Sequence, residues 1–489
     1  MTWIGAAPDD VIALIDAETG VSLRYGELRA RVEAARHGWL TETQLAHDNG
    51  QLIVPALVFL LVRNDIASIV ALLSLRAAGF AVVLVDASLD AMVRDSLHDT
   101  YRPMFTVSSD ATVLADAVPV AGAEALVRTP LADQHALPTI HPELALGLAT
   151  SGSTGSPKLV RLTEQAVLAN ARSIAKALDI GPTDRAITCL PLHYAYGLSL
   201  LTSHLTAGAS LVVTDRSFMD GAFWKAVKQH DVTALAGVPY MYEMLERLGV
   251  ARAVPPCIRV MTQAGGRLRD ESVQRLHTFM QGRGGRFHVM YGQTEATARI
   301  AIMPHEWLPA RLGSAGCTIP GGTIEIRHLD GSAADDAPVP FGTEGEVWYH
   351  GPNVMLGYAT TRDELARGDD QHGMLRTGDI GRLDADGCLT ITGRVKRIGK
   401  LFGVRVDLDA IERQLSTETP TAVIEGDNQL VVFTVLPSGA HDEETVTALV
   451  HRLSTQLRVQ QRAIVVKAID ALPRTSSGKV DYPALRRTL

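Results

Sequence analysis

Apolar runs and amphipathic stretches alternate along this chain at the spacings of strands and helices. Tyr25-Gly26-Glu27-Leu28 opens an amphipathic helix that runs through about Trp39. Leu52 to Val62 is the longest apolar run, about eleven residues, and reads as a core segment. Ile66 to Ala78 has the pattern of a helix closing at a C-cap glycine, Gly79, and Ala81 to Val85 that of a buried strand. This cadence predicts an α/β layer. Residues 110–140, rich in Ala, Pro and Asp, predict a surface loop. Leu144 to Leu148 and Leu159 to Leu162 flank a tight polar segment as a hairpin would. Further on, the pattern predicts a helix near 164–178, a strand over Thr233 to Pro239 with a helix at 240–249, a strand from Val260 into Gly265-Gly266, and a short strand from Phe287 to Met290. The last ninety-odd residues predict a small α/β unit. It has helices at 407–416 and 442–457 and strands near Ala422 to Ile424, Leu430 to Leu436 and Ala463 to Val466. The fold class is mixed α/β, and 489 residues are too many for one compact core.

Composition narrows the function classes. Hydrophobic residues make up 46% and charged residues 20%, the profile of an ordinary globular protein. A net charge of −8 and a pI near 6.1 argue against nucleic acid as a partner. No apolar run reaches the length of a membrane span, and Met1-Thr2-Trp3-Ile4-Gly5 lacks a basic segment followed by an apolar one. Cys189, Cys257, Cys317 and Cys388 are scattered singles with neither metal nor disulfide spacing. The expectation is a cytoplasmic protein.

Candidate chemistry begins with Thr150-Ser151-Gly152-Ser153-Thr154-Gly155-Ser156-Pro157-Lys158. Gly lets backbone approach a ligand, hydroxyls and N–H groups donate, and Lys158 supplies a point charge, so the segment suits an oxyanion. The P-loop pattern G-x-x-x-x-G-K-[ST] does not fit, because Pro157 precedes Lys158 and Leu159 follows it. Lysine is scarce: of 46 basic residues only Lys158, Lys176, Lys225, Lys228, Lys396, Lys400, Lys467 and Lys479 are lysines. Arg and Lys are not interchangeable where a compact ammonium must reach a reacting atom, so Lys158, Lys396, Lys400 and Lys479, all in polar Gly-containing segments, are singled out. Met290-Tyr291-Gly292-Gln293-Thr294-Glu295 places an aromatic, a glycine, a hydroxyl and a carboxylate at a strand end, where α/β proteins keep ligand contacts.

The loop at 150–158 resembles the phosphate loop of the adenylate-forming superfamily: acyl-CoA synthetases, peptide-synthetase adenylation domains and luciferases. Downstream motifs follow in the family's order. They are Leu190-Pro191-Leu192-His193-Tyr194, Tyr291-Gly292-Gln293-Thr294-Glu295, Thr377-Gly378-Asp379, Gly393-Arg394-Val395-Lys396, Lys400 with Gly403, and Pro473-Arg474-Thr475-Ser476-Ser477-Gly478-Lys479. The resemblance implies a large multi-sheet adenylation domain over residues 1–394 and a small mobile α/β domain over 395–489. It implies that Ser151 to Gly155 and Lys158 hold the β,γ-phosphates of ATP and that Gly265, Tyr291 and Gly292 flank adenine. Thr294 falls on the α-phosphate, Glu295 on Mg²⁺, Asp379 on the ribose hydroxyls and Arg394 on the nucleotide. Lys396 falls at the hinge, Lys400 at the second half-reaction and Lys479 between carboxylate and nucleotide.

The implied reaction is attack of a carboxylate on the α-phosphate, giving an acyl-adenylate and pyrophosphate, then transfer to coenzyme A or a phosphopantetheine thiol. His193, Tyr194, Tyr196, Val238, Tyr240 and Gly265 are expected to line an apolar or aromatic acid pocket. Ala195 stands where peptide-synthetase domains carry the Asp that pairs an α-amino group, which disfavours ordinary amino acids. Aryl or modest-length acyl acids are expected. Arg299 is able to pair a second acidic group, but its place past the motif reads as an exposed loop arginine. The segment Gly351-Pro352-Asn353-Val354-Met355-Leu356-Gly357-Tyr358 reads as a structural turn without chemistry. Gly399 and Leu401-Phe402 depart from the family pattern and leave the acceptor open. Alternatives are an amide synthetase, a nitrite-dependent diazotase acting on an aromatic amine, a carrier-protein ligase, and an inactive nucleotide-binding module. A monomer or homodimer is expected.

Overall fold

The structure, a computed structural model, describes residues 3–45, 55–131, 138–150, 158–329, 337–401, 404–416, 419–426, 429–435, 443–457, 459–475 and 478–489. The chain divides into two compact units. The first is Met1–Leu312 with Gly316–Thr323 and His350–Leu375; the second is Gly313–Ala315, Ile324–Tyr349 and Arg376–Leu489. The boundary read from the sequence, between residues 394 and 395, falls within the second unit.

Two sheets build the first unit. In one, the strands Ile12–Asp16, Ser210–Val213, Arg185–Ile187, Ala234–Gly237, Val260–Gln263 and Arg286–Tyr291 lie side by side and parallel, and Ala301–Ile302 then pairs antiparallel. Parallel neighbours need crossover connections, and the helices Pro239–Leu248 and Asp270–Gln281 supply them between the last three. Three adjacent strands therefore end on one edge, the place where α/β sheets present ligand contacts. In the other sheet Leu57–Val62 runs parallel to Ala81–Asp86 and Phe105–Ser108, and Leu144–Thr150 and Lys158–Thr163 form the expected antiparallel hairpin. All six residues of Leu57–Val62 are buried, as an unbroken apolar run in a parallel sheet must be.

Local signals account for most boundaries. Thr163 caps the helix Glu164–Leu178 by accepting from the Ala166 amide at 3.0 Å, so the hairpin passes directly into that helix. Gly79, at φ +90°, terminates Ile66–Ala77 as expected. The helix opened by Tyr25 continues to Leu45, past Trp39. Residues 110–140 are not simply a loop. They hold a short 3₁₀ turn, Ala111–Val113, and an edge hairpin of Val118–Val120 with Ala123–Arg128. The helix Ala195–Thr206 went unread because nearly all of it is buried and Tyr194 makes no capping bond, leaving neither an amphipathic stripe nor a cap signature.

In the second unit Asp379 to Leu383, of the strand Met374–Leu383, pair antiparallel with Cys388–Arg394, and Ile398–Leu401 with Val404–Asp407 form a hairpin. The three-stranded sheet of Thr421–Glu425, Leu430–Val435 and Ile464–Ile469, with helices Leu408–Ser416 and Glu443–Leu457, matches the small α/β unit read from the sequence. Its core is built on Ile411, Leu415, Val423, Val432 and Leu453. Arg397 bonds Asp409 and Glu412 at 2.7 Å each and lies over the Tyr482 ring, which ties the turn Val395–Arg397 to this body. Among the described residues no helix is long and apolar enough to cross a membrane.

Two buried histidines of the first unit carry a stability cost in acid. Burial pushes the pKa of His204 and of His288 down to about 4, and the Nδ1 of each donates to a carbonyl, Leu200 O at 2.9 Å and Met303 O at 3.1 Å. An unfolded histidine titrates near 6.5, so the stability held by the neutral rings is complete above that pH and is lost as pH falls toward 4. We expect each ring to cost on the order of 2 kcal/mol by about pH 5. Melting curves between pH 7 and 5 should show a shallower loss for His204→Asn with His288→Asn than for the unaltered chain; equal slopes would contradict the assignment.

Candidate active site

The strand Arg286–Tyr291 delivers its polar motif into a loop that doubles back on itself. A Cβ on Gly292 would sit 1.9 Å from the Ala298 carbonyl oxygen, so only glycine permits the return. Ile300 N then bonds Tyr291 O at 2.9 Å, closing the loop. Within it Thr297 sits at φ +64°, a left-handed conformation that strains a β-branched residue. Two fully buried amides hold that shape. Asn353 Nδ2 donates to Ala296 O at 2.8 Å and Arg299 O at 3.1 Å, and its own carbonyl accepts Thr297 Oγ1 at 2.7 Å. Asn170, on the helix Glu164–Leu178, grips Arg299 through both its amide atoms. Met355 N also bonds Glu295 O at 2.9 Å.

Glu295 and Lys158 are brought together through Tyr358. The strand Gly357–Ala359 pairs antiparallel with Lys158–Thr163 and sets Tyr358 opposite Val160. The Tyr358 hydroxyl donates to Glu295 Oε1 at 2.5 Å, and Lys158 Nζ lies 3.5 Å from the centre of its ring. Burial first, and the Glu295 carboxylate second, push the Tyr358 pKa up, so the phenol stays a donor. The segment Gly351 to Tyr358, expected to be a turn without chemistry, thus supplies both Asn353 and Tyr358. Nothing local in the sequence marks them, since their partners lie some sixty residues away. Ser151, Gly152, Ser153, Thr154 and Gly155 lie outside the described residues. The flanking strands are paired up to Thr150 opposite Lys158.

The residues expected to line an acid pocket are spread over several elements, with Tyr194 and Tyr196 at the start of the helix Ala195–Thr206. Tyr194 and Tyr196 meet edge to face with centroids 6.3 Å apart, and the Tyr196 hydroxyl donates to Thr262 O at 2.9 Å. Val238 is buried at the end of Ala234–Gly237, and Gly265 turns the chain after Val260–Gln263 at φ +84°. Tyr240 packs edge-on to Phe218. His193 Nε2 lies 3.5 Å from Asp86, and burial outweighs that carboxylate to lower its pKa, leaving the ring neutral near pH 7.

Arg299 is not an exposed loop arginine. It is only 3% exposed, because the Gly292 return and the two asparagines turn the loop inward. Its guanidinium lies 4.3 Å from the Tyr196 ring centre, and Nη2 donates to Ser199 Oγ at 3.2 Å. A charged group therefore lies against Tyr196, one of the residues expected to line an apolar or aromatic pocket.

In the second unit the two nucleotide candidates face one another. Asp379 and Arg394 are direct cross-strand partners, with Arg394 Nε 2.8 Å from Asp379 Oδ1, the carboxylate buried and the arginine exposed. Lys396 stands in the turn Val395–Arg397 and Lys400 opposite Arg405 in its hairpin. Lys479 is exposed on a tight turn closed by Thr475 N to Lys479 O and Gly478 N to Thr475 O, both at 2.8 Å.

Asn353→Ala should remove one buried hydrogen bond from each of the Ala296 and Arg299 carbonyls, leaving them the Ala298 amide and the Asn170 side chain, while the Thr297 hydroxyl keeps its acceptor on the Asn353 backbone. We expect a loss of about 2 kcal/mol in denaturant unfolding, from two buried hydrogen bonds at about 1 kcal/mol each. A change below about 0.5 kcal/mol, the usual range of surface substitutions, would show that the clamp is not what holds the loop.

Comparisons with known proteins identify relatives of the chain. A model described as "AMP-binding enzyme" matches residues 2–359. Phenyloxazoline synthase MbtB of a Mycobacterium species is 28% identical over 98% of this chain but only 41% of its own length, so the chain spans less than half of that relative. Sulfoacetate–CoA ligase of Cupriavidus necator is 30% identical, covering 78% of this chain and 77% of the ligase. Among solved structures, the o-succinylbenzoate CoA synthetase MenE of Bacillus subtilis, in complex with the acyl-adenylate OSB-AMP, shares the fold with a TM-score of 0.74. That match is 22% identical and covers 96% of this chain and 94% of that one. The chain belongs to the AMP-binding enzyme family, the adenylate-forming superfamily whose motifs it carries in order.

Proposed function

We propose that the chain is an ATP-dependent, AMP-forming ligase. It activates a carboxylic acid as an acyl-adenylate and transfers the acyl group to a thiol, of coenzyme A or of carrier-bound phosphopantetheine. The observation that carries this reading is the cluster of Lys158, Tyr358 and Glu295 beside the polar segment, one tyrosine taking the ammonium over its ring and bonding the carboxylate through its hydroxyl. Relatives support the same chemistry by name: a sulfoacetate–CoA ligase, and a CoA synthetase solved with its acyl-adenylate.

The first step brings one anion to another, so its barrier is chiefly electrostatic. In this reading an oxygen of the acid attacks the α-phosphorus and the bond to the β-phosphate oxygen breaks, releasing pyrophosphate. Lys158 and the 151–157 segment hold the leaving phosphates, and Thr294 donates at the α-phosphate. Glu295 suits Mg²⁺, a cation that takes one or two carboxylates and fills its remaining positions with phosphate oxygens and water. Its Oε1 is oriented by Tyr358 and the carboxylate has acceptor capacity beyond that bond. When bound, the ion supplies charge neutralisation on the phosphates. Asp379 receives the ribose hydroxyls beside Arg394, and Tyr291 lies against adenine. Lys479 bridges the incoming carboxylate and the nucleotide. In the second step the thiol sulfur attacks the acyl carbon and AMP leaves, with Lys400 serving after the 395–489 domain turns about Lys396. Hinge switching of this kind is a known way to run two reactions in one site. We place the enzyme in the cytoplasm, as a monomer or homodimer.

Two measurements test the reading. Incubation with ATP, Mg²⁺ and a panel of carboxylic acids should give AMP and pyrophosphate with a subset of the acids, and Lys479→Ala should slow this by about 10²-fold or more. Formation of ADP and phosphate, or no turnover with any acid, would overturn it. Tyr358→Phe should raise the Mg²⁺ concentration for half-maximal rate by about 10-fold, the usual effect of removing a partner that orients a metal ligand; an unchanged Mg²⁺ dependence would remove Tyr358 from that role.

A further inference from the structure

We propose that the acid substrate carries a second anionic group, a carboxylate or a sulfonate, and that Arg299 is the residue that selects it. This deepens the ligase reading and rests on it.

Three arginines of the first unit are almost wholly buried, and two of them are accounted for. Arg161 pairs Asp370 at 2.8 Å and also donates to the carbonyls of Leu356, Gly368 and Arg367. Arg362 donates to three carbonyls, Tyr101, Arg102 and Pro138, at 2.9 to 3.1 Å. Arg299 has only the Ser199 hydroxyl at 3.2 Å and the carbonyl of its neighbour Ala298 at 3.4 Å. No ion pair reaches it among the described residues, and no carboxylate acts on its charge. All three leave a buried Nε without a partner, so that atom does not set Arg299 apart. What sets it apart is a buried cation with neither a counter-ion nor a full set of acceptors. Such a charge is costly, and the cost is met when an anion with planar oxygens takes the fork of donors.

Its surroundings point the same way. Arg299 lines a cavity with Tyr196, Ser199, Leu200, Thr262 and Met290, all belonging to the first unit. The Tyr196 face supports the guanidinium, a placement that leaves its edge donors for a ligand. His204, also on the cavity, is neutral at pH 7 with a buried Nε2 that has no partner; the charged lining besides Arg299 is Arg286 and Asp184, whose carboxylate accepts from Gly181 N and Thr233 Oγ1. The volume open to the centre of a water molecule is only about 30 Å³, so an acid seated here displaces water and shifts flexible lining side chains such as Leu200 and Met290. Arg299 itself is fixed: Asn170 and Asn353 both hold its backbone. A guanidinium carried on a held backbone in a narrow, largely apolar cavity discriminates strongly between a substrate that satisfies it and an isostere that does not.

The test uses the full chain and matched acid pairs, each an aryl or short acyl diacid, or sulfonated acid, beside its monoester or monoamide. For the unaltered protein we expect kcat/KM for AMP release to favour the dianion by about 100-fold. Arg299→Gln should remove most of that preference, chiefly through KM, and Arg299→Lys should keep part of it. Equal use of both partners of a pair by the unaltered protein would overturn the proposal. So would an equal loss on both in Arg299→Gln, which would mean that Arg299 holds the reacting carboxylate instead. Melting temperatures with each acid provide an arm that needs no turnover. A dianion should raise the melting temperature of the unaltered chain and of Arg299→Lys more than its monoester does, and the difference should vanish in Arg299→Gln. If no acid yields AMP, the ligase reading fails while this arm still decides the anion site; no dianion-specific rise in the unaltered chain overturns the site.

Discussion

The close approach of Gly292 to the Ala298 carbonyl is the constraint on which the first unit's chemistry depends. No side chain fits in the 1.9 Å that a Cβ would leave, so the backbone alone closes the loop. Closing it forces Thr297 into the left-handed region, a strain of about 1–3 kcal/mol. That strain persists because buried hydrogen bonds from Asn170 and Asn353 surround it. The outcome is a seven-residue turn with two working sides: Glu295 meets Tyr358 on one, and Arg299 enters the cavity on the other. Disturbing the turn would move both groups together, because one backbone loop carries them.

The partner of that turn is the hairpin edge. Arg161, wholly buried in Lys158–Thr163, ties the returning chain through Asp370 and carbonyls near it. Gly357–Ala359 is thereby locked alongside the hairpin, and Tyr358 can serve two neighbours at once. Its hydroxyl orients the Glu295 carboxylate while its ring faces the Lys158 ammonium. A ring over a cation is a weak hold compared with a carboxylate. It keeps the lysine beside the polar segment that the strand Lys158–Thr163 follows.

Much of this was legible in the sequence, and the rest was hidden for definable reasons. The hairpin, the helix beginning at Glu164, the strand ending at Tyr291 and the small α/β unit all follow from runs and caps that are local. Asp379 and Arg394 were found as separate motifs, and the antiparallel register then made them partners. The helix from Ala195 was missed because a helix buried on every side has no periodic stripe. Asn353 and Tyr358 were missed because their partners are remote, and residues with turn-forming neighbours read as turn. Arg299 was misjudged because a charge beside a motif reads as solvent-facing unless the inward fold of the loop is known.

The distribution of cations makes one more point. Arginines occupy positions that the fold fixes, with planar forks held by carboxylates, carbonyls or rings: Arg161, Arg362, Arg397 and Arg299. The retained lysines implicated in chemistry stand instead at a hairpin end, in a turn, in a short hairpin and on an exposed tight turn: Lys158, Lys396, Lys400 and Lys479. A compact ammonium on a flexible stem can follow a phosphate or carboxylate whose charge and position change during reaction, whereas a fixed guanidinium cannot. In an acid–ATP ligase those are different tasks. Recognition of a constant feature of the substrate needs the fixed fork, and stabilisation of a moving charge needs the mobile point. Arg299 stands apart from the other three arginines in that, among the described residues, its fork has neither a carboxylate nor a full set of carbonyls to hold, and a substrate anion supplies what the fold leaves out.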